Sequence, residues 1–244
     1  MKHTRLTQGF IGLMVIAAAA TAGSAIFESH KLHLLNAFTV LALAAVTSRM
    51  KIKLPGINGN MSVNLPFLLV AVVSLSALEA VAITAVSTVV QCWPRPDGKV
   101  RPEQLLFNVS MMAFAASVAS LIWSIGRIGK GTGVSAPLML ILATVTFFLG
   151  QTAPVAGIIK LTEGVAMHRV WLSIAQLSFP YYVLSAGLVS MINVVSHHLG
   201  WRAALLSFPV MYSIHLSYRL YFGKAAEAAQ ASPPPRARTA AAGV

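Results

Sequence analysis

The stretch Leu65-Pro66-Phe67-Leu68-Leu69-Val70-Ala71-Val72-Val73-Ser74-Leu75-Ser76-Ala77-Leu78-Glu79, continued by the apolar run to Trp93, holds one carboxylate and no Lys or Arg. A bilayer core of about 30 Å takes about 20 residues per helical crossing. The run from Leu65 to Trp93 is therefore too long for one crossing and too short for two. Ser76 and Glu79 stand at the S-x-x-E spacing of a capping box, which satisfies the free N–H groups of a new helix start. The spacing predicts a tight hairpin of two short helices over 65–93. Non-helical backbone at that depth is tolerated only where protein or a watery cavity surrounds it.

The same physics extends outward along the chain. Leu105 to Ile125, Val134 to Ile159 and Trp171 to Ser196 are each nearly free of charge, and Phe10 to Phe27, Leu32 to Val46 and Trp201 to Phe222 add further apolar segments. With 57% hydrophobic and 10% charged residues and a mean hydropathy of +0.75, too little polar residue remains to clothe a soluble globule of this size. The expected fold class is all-α: a polytopic integral membrane helical bundle of about six to eight segments. Residues 1–224 read as a single transmembrane domain, and 225–244, rich in Ala and Pro with Arg236 and Arg238, as a disordered tail. Phe10 to Phe27 has a cleavage-like Ala20-Thr21-Ala22, but its apolar stretch exceeds that of a signal peptide and another span follows at once, which favours a retained helix.

The net charge of +12 raises the question of nucleic acid. Lys and Arg lie in the links between apolar runs and not on one basic and aromatic face, so topology control and attraction to anionic headgroups explain them, and no nucleic-acid partner is expected. If the 65–93 hairpin returns to the side it came from, all of the 18 Lys and Arg except Lys31, Arg127, Lys130 and Arg202 fall on the side of the N-terminus. Treating 65–93 as one span leaves a near-even split. The positive-inside rule thus favours the hairpin, with both termini cytoplasmic in a bacterial inner membrane.

Polar residues inside apolar runs are the candidates for function, because lipid penalises them. Glu79 has three readings: a cap for the hairpin, a ligand contact, or a proton relay. In the turn-rich Leu54-Pro55-Gly56-Ile57-Asn58-Gly59-Asn60 stretch and its sequel to Asn64, the Asn58, Asn60 and Asn64 amides either bond their own backbone or meet a ligand. Gln91, Asn108 and Gln151, with Asn36, Asn193 and His215, either line a cavity or join helices by hydrogen bonds. Pro180 marks a kink in the last long run, beside Tyr181 and Tyr182, whose hydroxyls seek partners. Glu163 reads as a surface ion-pair partner of Lys160 or Arg169, and His197 and His198 as interfacial.

Chemistry of other kinds finds little footing. Gly126 to Gly133 lacks the G-x-x-x-x-G-K-[ST] spacing of a phosphate loop and reads as a linker. The chain has no H-E-x-x-H, no G-x-S-x-G, one cysteine (Cys92) and only six carboxylates, so neither a catalytic site, a metal nor a cofactor is expected.

Several strings in order resemble one family. Leu54-Pro55-Gly56-Ile57 with Ser62-Val63-Asn64, Val90-Gln91-Cys92, Leu106-Phe107-Asn108, Leu161-Thr162-Glu163-Gly164, Phe179-Pro180-Tyr181-Tyr182 and Ser217-Tyr218-Arg219-Leu220-Tyr221 resemble the N-terminal membrane region of bacterial HD-domain phosphohydrolase and diguanylate-cyclase-type signalling proteins, over roughly residues 30–224. The resemblance implies a sensor module whose Tyr-Arg-Leu-Tyr segment leads to a cytoplasmic output domain. Here Ala225 to Val244 stands in that domain's place, so signalling is expected to pass through a protein partner. A looser likeness, carried by Asn64-Leu65-Pro66 and the hairpin, is to the S components of energy-coupling-factor vitamin transporters, though Ser76-Ala77-Leu78-Glu79 replaces their usual Gly-Pro turn. It implies a small-solute binding subunit instead.

Overall fold

The computed structural model describes residues 2–28, 34–53, 60–93, 101–128 and 135–199, together with 205, 208–214, 216, 217 and 220. Among these residues helices run in the order α1 (Lys2–Glu28), α2 (Leu34–Ser48), α3 (Leu65–Ser74), α4 (Ala77–Cys92), α5 (Pro102–Ile128), α6 (Ala136–Glu163) and α7 (Met167–Leu199). Residues 208–214 are helical as well. Among the described residues four helices are long and apolar enough to cross a membrane, in α1, α5, α6 and α7. At 1.5 Å per residue the 27 residues of α5 reach about 40 Å, whereas α3 and α4, of 10 and 16 residues, reach only about 15 and 24 Å.

The outer surface identifies the solvent. Leu34 is 72% exposed and Phe38 70%, and Ile16, Met191 and Val194 are similarly bare. Water would make such a surface a strong aggregation liability; lipid is its natural neighbour. The chain is a membrane-embedded helical bundle.

Helix α3 occupies the middle. Every residue from Leu65 to Val73 is buried, as expected for a helix apolar on all faces. It packs against α2, α4, α5 and α7, while α5 lies along α1, α4 and α6. Lipid tails are as apolar as Leu, so close contact and not water exclusion holds the helices together. Small residues permit it. Ala115, Ala116 and Ala119 of α5 are fully buried, and a Cβ placed on Gly150 of α6 would come within 3.0 Å of the Ala115 Cβ. Several hydroxyls within the helices donate to their own backbone, as where Thr84 donates to the Ala80 carbonyl and Thr88 to that of Thr84, each at 2.7 Å.

The hairpin falls where the spacing places it. Leu75 and Ser76 interrupt the helix, and Ser76 begins α4 with both halves of a capping box present. One addition to the helical reading is a short antiparallel ladder, β1 (Lys51–Lys53) with β2 (Asn60–Ser62), pairing Lys51 with Ser62 and Lys53 with Asn60. It brings the chain leaving α2 back to the start of α3. Gln151 to Glu163 continues α6 through Pro154 as one helix, closed by Gly164 at φ 73°, a left-handed cap that glycine adopts without strain. Pro180 sits inside α7. The expected tail at 225–244 lies outside the described residues, as do Asn58 and His215.

Candidate functional site

The ends of four helices enclose a cavity of about 680 Å³. Thr7 and Ile11 come from α1, Thr88, Gln91 and Cys92 from α4, Phe107, Asn108, Met111 and Met112 from α5, and Gln151, Val155 and Ile158 from α6. Arg101, Glu103, Gln104, Thr162 and Glu163 stand exposed at its mouth. Three of the expected polar residues, Gln91, Asn108 and Gln151, thus meet in one space although 60 positions separate the first from the last. Glu163 faces this mouth, and no ion pair joins it to Lys160 or Arg169 among the described residues.

The hydrogen bonds of the three amides are partly committed. The Asn108 Nδ2–H donates to Cys92 Sγ at 3.4 Å, tying α5 to α4. The Tyr182 hydroxyl donates to Gln151 Oε1, tying α7 to α6. Gln91 bonds no described residue through its side chain.

Glu79, Asn64 and Tyr181 make contacts within the scaffold. Glu79 is 7% exposed and its Oε2 accepts the Ser76 backbone N–H at 3.0 Å and the Ser76 hydroxyl at 2.8 Å. It is the cap of the hairpin. Asn64, 4% exposed, accepts the Ser62 hydroxyl at 2.7 Å, and its carbonyl takes the Phe67 and Leu68 N–H groups at the start of α3. The Leu65 N–H donates to the Tyr181 hydroxyl at 3.2 Å, so α7 satisfies a free donor of α3. Asn60 lies in β2, and Asn36 on α2 and Asn193 on α7 are not among the residues lining the cavity.

Two polar ties were not legible from the run of residues. Trp123 of α5 donates its indole N–H to the Val73 carbonyl at 2.9 Å. Arg49, just past α2, donates to the carbonyls of Val90 and Trp93 at 3.2 and 3.1 Å, where a cation meets the negative end of α4. Arg49 also fixes topology, because it holds the end of α2 beside the end of α4: the hairpin returns to the side from which it entered. A second space of about 500 Å³ lies between α6 and α7, lined almost wholly by apolar residues such as Leu140, Phe148, Phe179 and Val183. Tyr182 borders it, with its ring edge-on to Phe148 at 4.9 Å. Among the described residues no group of His, Cys, Asp and Glu could hold a metal ion.

The described residues thus form a membrane-embedded helical bundle with a polar cavity at one end. The chain matches the MASE9 family model over residues 10–221 and belongs to that family, one of the MASE membrane sensor domains. No curated protein and no solved structure matches it.

Proposed function

We propose that this chain is a non-catalytic bacterial membrane sensor module: a small molecule enters the cavity of Gln91, Asn108 and Gln151, and its presence is passed to a protein partner. The carrying observation is the convergence of those amides from three helices in a space of ligand size. Arg5 near the start of α1, Arg49 on the end of α4, Arg101 at the mouth and Lys160 near the end of α6 stand on the helix ends that border the cavity, which supports a cytoplasmic mouth and cytoplasmic termini in the inner membrane. The likeness to membrane regions of HD-domain and diguanylate-cyclase-type signalling proteins supports an output partner on that side. Lipid is the other standing partner, and no nucleic acid or cofactor enters the reading.

Native mass spectrometry of gently purified protein tests it. A copurified small molecule that is lost in Gln91→Leu, together with a signalling output altered by deletion, is the expected result. An unaltered output and a bare protein sink the proposal. A second reading rests on the α3–α4 hairpin opened by Asn64-Leu65-Pro66, the feature shared with transporter S components. Loss of uptake of a single solute on deletion, with a copurifying ATPase subunit, replaces the first reading by this one.

A further inference from the structure

The bonds already made by the three amides leave a definite pattern unmade. Gln151 has one lone pair of its Oε1 taken by the Tyr182 hydroxyl and both of its Nε2–H groups left to donate. Asn108 has one Nδ2–H engaged with Cys92 Sγ, which leaves its Oδ1 to accept and its second N–H to donate. Gln91, on the third helix, offers one group of each kind. The inner wall therefore presents donors and acceptors together. Apart from the Cys92 thiol it carries no ionisable group among the described residues, because Arg101, Glu103 and Glu163 stand at the exposed mouth.

We propose that the cavity binds a neutral, flat ring bearing a carbonyl beside an N–H, a lactam or cyclic imide. The proposal rests on the cavity being the sensor's ligand site. A carboxylate, phosphate or ammonium reaching the amides would lose its water with no opposite charge beside it. A ligand that only accepts would leave Asn108 Oδ1 unmatched, and one that only donates would leave Gln151 Nε2 unmatched; each buried group without a partner costs affinity. A lactam edge answers both. The rest of the wall suits a ring, since Ile11, Phe107, Met111, Met112, Val155 and Ile158 are apolar and the methionines adapt their shape to a flat face.

Cys92, the single cysteine of the chain, lines this cavity and reports its occupancy. Alkylation of Cys92 by N-ethylmaleimide is followed in the full-length, detergent-solubilised protein with four near-isosteric probes: 2-quinolone, N-methyl-2-quinolone, quinoline-2-carboxylate and N-methylquinolinium. Melting temperature is recorded with each. The expected result is that 2-quinolone slows alkylation and raises the melting temperature, while its N-methyl analogue binds about tenfold more weakly for want of one hydrogen bond. The two charged probes do neither, and Gln91→Leu abolishes the protection while still melting cooperatively. Protection by a charged probe and not by the lactam overturns the ligand class and leaves the site standing. If no probe slows alkylation or shifts melting, the ligand-site reading falls with it.

Discussion

The indole of Trp123 holds the backbone carbonyl of Val73 at 2.9 Å, and this bond is what lets a helix end inside the bundle. Helix α3 stops at Ser74, so the carbonyls of its last turn lose the partners that a continuing helix would supply. The Leu75 N–H takes the Ala71 carbonyl at 3.0 Å, and Trp123 reaches across from α5 for the Val73 carbonyl. Without water at that depth, an unpaired carbonyl is a direct loss.

Trp123→Phe keeps most of the ring and deletes the donor. Interhelical hydrogen bonds in membranes are worth about 0.6–2 kcal/mol, so the variant is expected to unfold that much more easily in reversible denaturation in detergent. A stability equal to the parent would show that the bond is incidental to the hairpin.

Glu79 and Ser76 separate by a different test. Ser76→Ala removes a cap that contributes about 0.5–2 kcal/mol, and a lower melting temperature is expected. Glu79→Gln keeps an oxygen acceptor toward the Ser76 N–H, so its melting point is expected to fall less than that of Ser76→Ala, with protection of Cys92 by 2-quinolone retained. A Glu79→Gln protein that melts like the parent but has lost all ligand protection would return Glu79 to the candidate ligand contacts.

Much of this architecture is written locally. The Ser76 and Glu79 spacing announces the hairpin because a capping box is a contact between near neighbours, and the unbroken apolar face of Leu65 to Val73 announces a buried helix for the same reason. Gln91, Asn108 and Gln151 are visible singly as polar residues in apolar runs, but their meeting depends on how three helices pack, which no local spacing encodes. Trp123 and Arg49 pass unnoticed in sequence since each has an ordinary role available, interfacial anchor and topology charge. Their partners are backbone carbonyls freed only by the fold. Tyr181 and Tyr182 differ in the same way: adjacent in sequence, one caps α3 and the other grips α6.

Tyr182→Phe isolates that grip. The Phe retains the edge-on contact with Phe148 and gives up only the bond to Gln151, for an expected loss of about 0.6–2 kcal/mol. Gln151→Leu in the same background should then cost less than it does in the parent, since the two side chains share one bond. Full additivity of the two substitutions, measured by denaturation of all four proteins, would show that the residues act apart.

The bond from Arg49 to the end of α4 makes a prediction about orientation as well as stability. Cys92 lies one residue before Trp93, whose carbonyl Arg49 holds, and the orientation proposed above from the positive-inside rule puts both at the cytoplasmic face. A membrane-impermeant maleimide should therefore label Cys92 in inverted inner-membrane vesicles and leave it unlabelled in right-side-out ones. In Arg49→Ala, the last turn of α4 loses a cation at its negative end, worth about 0.3–1 kcal/mol, together with two hydrogen bonds, and frays. Faster labelling of Cys92 from the same side is expected. Labelling from the outer face would invert the topology, and an unchanged rate in Arg49→Ala would show that the ladder and α2 hold the end of α4 without the guanidinium.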